Sequence, residues 1–246
     1  MNDAVTVAYC HTNQVAYSWH VSLLQLLMDD LTVGAGQRLR RGGILAIRCS
    51  FAGLLPVARN RAVQHFLDQR KADWLWFTDT DMGFAPDTVE RLLEAADPLE
   101  RPIVGGLCFA QREIGEDGYG GQQTIPTPTI FDWHTDPDGM GSFEVRAAYE
   151  RDALIRCDGT GTACLLIHRQ ALQRMREEFG PTWFDRIPAR DGSVGEDLSF
   201  CMRAHELGIP IHVHTGVRTT HMKTLWLAEE HYFQAIEAEP VPEPVP

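Results

Sequence analysis

The sequence predicts an α/β protein with a mixed, mainly parallel sheet that is flanked by helices. Over the first 110 residues, short β-prone runs alternate with amphipathic stretches, which is the pattern of a parallel sheet covered by helices on both faces. A length of 246 residues is enough for one large domain with a sizeable core. Hydrophobic residues make up 44% of the chain and charged residues 23%, as expected of a folded globular protein.

Charge and cysteine content narrow the classes of function. The net charge of -12 disfavours a broad surface for nucleic acids or anionic membranes, although Arg38, Arg40 and Arg41 form a local basic patch. The 6 cysteines include no C-x-x-C pair and fall mostly in apolar runs, which is typical of reduced core thiols. The sequence has no secretory signal pattern and no apolar stretch of membrane length. We therefore expect a soluble, cytoplasmic protein with no membrane partner.

In the first half of the chain, strands and helices alternate. A helix is predicted around Trp19 to Leu27, and apolar residues at helical spacing predict two more, over Pro56–Leu67 and from Pro86 onward. The β-prone runs between them predict four strands, at Ala4–Tyr9, Ile44–Cys49, Trp74–Phe77 and Arg101–Phe109.

The alternation stops between residues 111 and 150, where Gly, Pro, Asp and Thr dominate and aromatic residues are scattered. We expect substrate-facing loops and hairpins here, with a surface insertion as the alternative. Regular elements then return, and the last residues, 239–246, predict an extended or disordered Pro-rich tail. The elements predicted between these two regions are strands at Ala153–Cys157 and Ala163–Ile167, a helix ending at Phe179, a helix from Glu196 to Gly208 and a β-prone segment, Ile211–Met222.

Two carboxylates follow the third predicted strand directly. Trp74–Phe77 is an apolar run typical of a buried parallel strand, and Asp79 and Asp81 come immediately after it. Ligands of open α/β sheets collect beyond the carboxyl ends of the strands, so this acidic pair is placed to hold a cation. The alternative is a capped turn, because a helix begins at Pro86 and acidic residues favour helix starts.

Basic residues stand at the start of the Pro56–Leu67 helix. Arg59, Asn60 and Arg61 crowd its first turns, where positive charge opposes the helix dipole. An anionic ligand nearby would explain this arrangement. Simple solvation is the alternative, because the dipole contributes only about 0.3–1 kcal/mol.

The C-terminal third holds further candidates. Glu196 and Asp197 open a predicted helix, where they either cap the helix or act on a ligand. His212, His214 and His221 follow in a β-prone segment. The first two could clasp zinc from one strand face, but no cysteine or carboxylate at suitable spacing completes a structural site.

The order of four elements resembles the GT-A fold glycosyltransferases, in particular small soluble family 2-like members from bacteria and phages. The resemblance covers Val5 to Tyr232 and implies a GT-A (Rossmann-like) fold in one domain, residues 1–238. Residues 1–110 would form the nucleotide-sugar-binding half, and residues 111–238 the acceptor half with a loop insertion at 111–150. The elements are the pair Arg59-Asn60, a strand followed by Asp79-Thr80-Asp81, Gly159-Thr160-Gly161 before a strand, and Gly195-Glu196-Asp197 opening a helix with a histidine beyond it.

On the donor side, the resemblance implies a divalent cation, Mn²⁺ or Mg²⁺, on the diphosphate of a nucleoside diphosphate sugar, with a UDP-sugar as the expected donor. Asp81 would ligate the metal directly, and Asp79 would hold the ribose or a metal-bound water. Arg59 and Asn60 match positions that approach the nucleotide or its phosphates. The backbone at the two glycines of the third element, Gly159 and Gly161, would approach the sugar.

On the acceptor side, the resemblance makes Asp197 the general base and Glu196 a partner that binds the sugar or the acceptor. His221 matches the C-terminal histidine that completes the metal site in many members, and we prefer it to His214 on that match. The segment Thr215–Arg218 departs from the family, whose members often have an Asp-Pro-type turn there, so the register of the histidine is uncertain.

These assignments predict a metal-dependent glycosyltransferase acting on an acceptor hydroxyl. A hydroxymethylated pyrimidine of phage DNA, a protein, a glycan and a small molecule are the acceptors under consideration, and the oligomeric state is left open. An aspartyl-phosphate phosphatase is one alternative, although that chemistry places its motif after the first strand. A non-catalytic nucleotide-sugar-binding module is another.

Overall fold

The computed structural model of the protein describes residues 3–32, 37–50, 52–116, 122–135, 137, 141–189, 192–224, 229 and 233. Within the described part of the chain, no helix combines the length and the apolar composition that a membrane span requires. A 3-10 turn at Ala52–Leu54 leads into the third α-helix. The helices are α1 (Tyr17–Thr32), α2 (Arg38–Gly42), α3 (Leu55–Gln69), α4 (Thr88–Ala95), α5 (Arg169–Phe179) and α6 (Glu196–Glu206).

The strands range from two to eight residues in length, and several of the shortest lie beside the candidate site. They are β1 (Val5–His11), β2 (Ile44–Arg48), β3 (Trp74–Thr78), β4 (Met82–Gly83), β5 (Ile103–Leu107), β6 (Phe109–Glu116), β7 (Gln122–Pro128), β8 (Ile130–Thr135), β9 (Gly141–Val145), β10 (Leu154–Cys157), β11 (Gly159–Thr160), β12 (Cys164–His168), β13 (Pro188–Ala189), β14 (Gly192–Ser193), β15 (Ile211–Arg218) and β16 (Thr220–His221).

The central sheet of the described residues has seven strands in the order β10-β15-β5-β12-β3-β1-β2. The pairs β1–β2, β1–β3 and β15–β5 are parallel, and β12 is antiparallel to both of its neighbours. Strand β10 is antiparallel to β15. All strands of this sheet except β10 and β12 therefore run in one direction, which confirms the predicted mixed, mainly parallel sheet.

The chain forms two compact units. The larger comprises residues 1–110 and 127–222 and holds the seven-stranded sheet and the candidate site. The smaller comprises residues 111–126 and 223–246. Within the smaller unit, the Gln111 side chain donates a hydrogen bond to the Thr224 carbonyl at 3.1 Å. The predicted tail at 239–246 lies outside the described residues.

Strand β3 shows why the sheet needs helices on both faces. All five of its residues are buried. Side chains of neighbouring strand residues point to opposite faces, and Leu75 and Phe77 accordingly join one apolar cluster while Trp74 and Trp76 join the other. The Leu75 side of the sheet packs against α3, α5 and α6, and the Trp76 side packs against α1 and α4.

Helix α3 carries Arg59 into the core. Pro56 lies in its first turn, where the missing N–H has no helical partner to lose. At the other end, the Arg169 guanidinium donates to the carbonyls of Phe66, Leu67 and Arg70 at 3.2, 3.1 and 2.8 Å. These bonds add to the hydrogen bond from the Arg70 N–H to the Phe66 carbonyl and hold the C-terminal end of the helix that positions Arg59.

Paired strands lie within the stretch at 111–150, for which loops and hairpins were predicted. Its described residues contribute to β6–β7 and β8–β9, two pairs of strands. Trp133 and Phe143 pack edge to face across the second pair, with ring centroids 4.9 Å apart. Strand β8 also pairs with β11, so Gly159 lies opposite Phe131. Cross-strand aromatic contacts stabilise a sheet despite the turn-rich composition. Of the predicted loops and hairpins, the described residues show the antiparallel pair β8–β9, and a substrate-facing role for this stretch stays a prediction.

We expect Gly42→Ala to destabilise the protein by about 1–3 kcal/mol or more. A Cβ at Gly42 would lie 2.0 Å from the Val5 carbonyl oxygen, because α2 packs directly on β1. Urea unfolding followed by circular dichroism measures the change. Gly115→Ala is the matched control, since a Cβ there meets no atom within 4 Å. Equal stability of the two variants would contradict the close packing of α2 on β1.

Candidate active site

The acidic pair lies at the carboxyl end of β3, as the sequence predicts. The Asp79 backbone N–H donates to the Ala163 carbonyl at 3.2 Å, which ties the segment after β3 to the start of β12. Strand β4 follows immediately and pairs with β16, so His221 lies opposite Met82. The Met222 N–H also donates to the Asp81 carbonyl at 2.8 Å. This short pairing brings the C-terminal histidine to the acidic pair.

Asp81 and His221 face each other through their side chains. The Nε2 atom of His221 lies 3.0 Å from Oδ2 of Asp81, and its Nδ1 atom lies 2.7 Å from the Phe109 carbonyl oxygen. A carbonyl oxygen only accepts, so Nδ1 carries a proton. In the neutral imidazole, Nε2 then presents a lone pair towards a carboxylate that is also an acceptor.

This arrangement fits a divalent cation. A histidine that ligates a metal usually donates its other ring N–H to a carbonyl or carboxylate, as His221 does to Phe109. A carboxylate oxygen and an imidazole nitrogen 3.0 Å apart are two donor atoms that a divalent cation can share. Within the described residues, no group of three or more His, Cys, Asp or Glu side chains is placed to hold a metal. Two protein ligands suit Mg²⁺-like ions, which take their remaining ligands from phosphates and water.

Arg59 is the centre of a second cluster. Its side chain is only 2% exposed. It donates to both oxygens of Asp79 at 3.0 and 3.2 Å, to Glu196 at 3.2 Å and to Asp197. One guanidinium therefore joins the end of β3 to the start of α6.

The electrostatics of this cluster are dominated by its carboxylates. Burial by itself lowers the pKa of the Arg59 guanidinium, but Asp197, Asp79 and Glu196 outweigh burial and hold the pKa above its usual range. With Arg186 beside Glu196, two guanidinium groups face three carboxylates, so the formal charge of the cluster is +2 − 3 = −1. A further cation is therefore favoured in this region.

Asp197 is held from one side. Both of its hydrogen bonds within the described residues, from Arg59 and from the Thr162 hydroxyl at 2.6 Å, end on Oδ1. Its side chain is 33% exposed. Glu196 is more buried and also lies 3.5 Å from Arg186. Thr162 was not among the residues predicted from the sequence, because only the packing of α6 against β11 brings this hydroxyl, two residues beyond β11, to Asp197.

Asn60 contacts protein groups on both sides of its amide. It donates to Asp185 at 2.6 Å and accepts from the Phe184 backbone N–H at 2.8 Å. The basic helix start predicts an anionic ligand, yet the anions beside Arg59 and Asn60 are carboxylates of this chain. Direct contact of these two residues with a nucleotide stays a prediction.

The two glycines of the Gly-Thr-Gly element differ in their surroundings. A Cβ at Gly159 would lie 2.9 Å from the Phe143 ring and 3.0 Å from Leu198, so packing alone demands a glycine there. At Gly161 a Cβ would make only ordinary contact with Thr129, at 3.5 Å. The predicted approach of a sugar to this backbone is thus a separate hypothesis from the packing requirement at Gly159.

The three histidines separate in the structure. His221 lies beside Asp81, whereas Nδ1 of His214 accepts from the Gly216 N–H at 3.1 Å. A bulge in β15 between His214 and Arg218 shifts the register before β16 begins. Burial lowers the pKa of both His212 and His214. His221 is thus the histidine that contacts Asp81, and its role in a metal site stays a prediction.

The basic patch of the sequence is engaged with acidic side chains. Arg38 pairs with Asp3 and Glu90, and Arg41 also pairs with Asp3. The Arg40 guanidinium donates to the Gln37 side chain at 3.1 Å. Two of these three arginines therefore have their charge compensated within the protein.

No protein-family model matches the sequence, and no curated protein shows significant sequence similarity to it. Among solved structures, A197 from STIV matches with a TM-score of 0.50 and 15% identity, over 90% of this chain and 86% of that chain. GalNAc-T7, crystallised with UDP, GalNAc and Mn²⁺, matches with a TM-score of 0.53 and 13% identity. That match covers 95% of this chain and 47% of the GalNAc-T7 chain, so this chain spans about half of that length.

At such low identity these likenesses concern the fold alone. The seven-stranded mixed sheet, the flanking helices and the similarity to a glycosyltransferase structure confirm the predicted GT-A-like fold. Membership of family 2 and a phage origin stay predictions.

Arg59→Met is expected to destabilise the fold by about 3–5 kcal/mol, because it removes a buried guanidinium and leaves three partly buried carboxylates without their counter-charge. Chemical denaturation measures the loss. Arg61→Met is the matched control, an exposed arginine two residues further along the same helix. Adding Asp79→Asn to Arg59→Met should recover part of the stability. If Arg59→Met and Arg61→Met were equally stable, Arg59 would not hold the cluster together.

Proposed function

We propose that this protein is a metal-dependent glycosyltransferase that moves a sugar from a nucleoside diphosphate to an acceptor hydroxyl. The observation that carries the proposal is the meeting of Asp81 with His221 at the carboxyl end of β3, where Nδ1 of the histidine is already engaged by a carbonyl. The carboxylate cluster around Arg59 lies at the same end of the strand.

On the donor side, Asp81 and His221 would hold Mn²⁺ or Mg²⁺ against the diphosphate. When bound, the cation neutralises the charge that develops on the departing nucleoside diphosphate. The solved GalNAc-T7 structure contains UDP and Mn²⁺, which favours a UDP-sugar and manganese here. Asp79 is proposed to hold the ribose or a metal-bound water, in an orientation that Arg59 maintains.

Asn60, Gly159 and Gly161 are also proposed to contribute to the donor side of the site. The Asn60 amide forms hydrogen bonds with the Asp185 carboxylate and the Phe184 backbone N–H, and it thereby fixes the position of this segment beside Arg59. The backbone at Gly161 can approach a sugar because the neighbouring side chain, Thr129, lies at van der Waals distance from the position a Cβ would take. Gly159 supports this approach indirectly, since it allows Phe143 to pack against β11.

On the acceptor side, Asp197 is the proposed general base. Arg59 and Thr162 both bind Oδ1, so the carboxylate is oriented while its other oxygen can accept the proton of the acceptor hydroxyl. Glu196 is proposed to bind the sugar or the acceptor. Its carboxylate is held by Arg59, which sets its position relative to Asp197.

The class of the acceptor is inferred from the charge of the protein. A hydroxymethylated pyrimidine in DNA is the acceptor with the least support, because affinity for DNA comes mostly from phosphate neutralisation. The net charge of -12 opposes that, and Arg38 and Arg41 are paired with Asp3. We therefore favour an acceptor hydroxyl on a protein, a glycan or a small molecule.

Asp81→Ala is expected to abolish the metal-dependent part of donor binding and turnover. Wild-type protein is incubated with a panel of nucleoside diphosphate sugars and Mn²⁺, and donor hydrolysis and binding of UDP are measured with and without the metal. Glu178→Gln, which removes an exposed carboxylate on α5, controls for lost charge and should behave as wild type. Absence of metal-dependent binding and hydrolysis across the panel would refute the proposal.

Asp197→Asn separates chemistry from binding. We expect turnover to fall by about 10²–10⁴-fold, the usual contribution of a general base, while the affinity for UDP with Mn²⁺ stays the same. Glu206→Gln, at the far end of the same helix, is the matched control. Unchanged turnover in Asp197→Asn would remove Asp197 from the role of base, and donor binding without any turnover in the wild type would favour a non-catalytic module.

A further inference from the structure

Helix α1 is apolar on two opposite faces. Trp19 and Leu26 are each 3% exposed and pack towards the sheet. On the other side of the helix, several large apolar side chains remain in contact with solvent. A helix that is apolar all round is normally covered on both sides. The second stripe consists of Tyr17 (83% exposed), Val21 (partly buried), Leu24 (50%), Met28 (62%) and Leu31 (55%).

The spacing of this outer stripe is that of a helix pair. From Tyr17 to Leu31 the apolar positions advance by four, three, four and three residues, the alternation of the apolar positions in a heptad. Such a seam faces a second helix along its whole length. No charged residue stands beside the seam, so two copies of it would meet without repulsion between like charges. The flanking positions are Ser18, Gln25 and Thr32 on one side and His20 and Leu27 on the other.

A groove adjoins the N-terminal end of the stripe. It has a volume of about 440 Å³ and is lined by Tyr17 and Val21 and by Phe84 and Thr220. Arg218, which pairs with Asp152, also lines it. Thr220 pairs with Gly83, whereas His221 pairs with Met82. Neighbouring strand residues point to opposite faces, so the groove lies behind the β4–β16 pair, on the face away from His221.

We infer that α1 pairs antiparallel with α1 of a second copy of this chain. In that arrangement Leu24 lies on the twofold axis, and Tyr17 of each copy lies opposite Leu31 of the other. The exposed Met28 and Leu31 side chains at one end of the stripe then fill the groove at the other end, twice per dimer. The interface is self-complementary and closed, and the antiparallel helix dipoles attract each other.

The chemistry of the helix favours a protein partner over a lipid surface. Helices that lie on membranes carry Lys and Arg on their polar face. α1 contains no Lys or Arg, and it carries Asp29 and Asp30 near its C-terminal end.

The pairing of the two α1 helices would also stabilise the β4–β16 strands that form the candidate metal site. The partner's α1 packs against the face of β4–β16 opposite to Asp81 and His221, so it restrains the short strands that bring these two side chains together. The dimer itself does not depend on the proposed transferase activity, and its test needs no substrate.

Leu24→Glu is expected to convert the dimer into a monomer, because it places two like charges at the twofold axis. Light scattering on a sizing column, over a range of protein concentrations, should show a dimer for the full wild-type chain and at least a tenfold weaker association for the variant. Leu99→Glu is the matched control, since Leu99 is 79% exposed in a turn outside the stripe. A wild-type monomer at the highest concentration, or an undiminished dimer in Leu24→Glu, would overturn the inference.

A cross-link tests the predicted geometry independently of stability. Under mild oxidation, Leu24→Cys should form a disulfide-linked dimer, and Leu99→Cys should not. The native cysteines are free, and all but Cys10 are buried. Equal cross-linking of the two variants would contradict the antiparallel pairing. Binding of a monomeric wild type to phosphatidylcholine vesicles, lost in Leu24→Glu, would assign the stripe to a lipid surface instead.

Discussion

A single buried guanidinium connects parts of the chain that lie 137 residues apart in sequence, since Arg59 on α3 binds Glu196 on α6 as well as Asp79 after β3. Removing such a charge from water is costly unless its partners are close and well oriented. The three carboxylates supply that compensation and are themselves held in place by it. The proposed donor and acceptor sides therefore share one charged centre, and neither can move without disturbing the other.

The second connection is between the end of the larger unit and its middle. His221 reaches Asp81 because two residues of β16 pair with two residues of β4. The pairing is short, but the carbonyl of Phe109 fixes the ring of His221 as well. Because so few backbone hydrogen bonds join β4 to β16, packing against the back of these strands would stabilise the candidate metal site. The groove beside α1 lies on that side.

Much of the candidate site was predictable because it follows strand and helix ends. Asp79 and Asp81 after an apolar run, and Glu196 and Asp197 at a helix start, are positions where local pattern and ligand chemistry coincide. The roles of Arg59 and Asn60 were harder to read. The sequence shows basic residues at a helix start, which favours a nearby anion. It does not show that this anion is a carboxylate from a distant part of the chain.

By itself the sequence determined the class of fold, because the spacing of apolar residues distinguishes strands from helices. It also determined which residue types could do chemistry and near which element ends they stand. Tertiary structure alone decided which histidine meets Asp81 and that the Thr162 hydroxyl orients Asp197. These outcomes depend on contacts between residues far apart in the chain, and local patterns carry no information about such contacts.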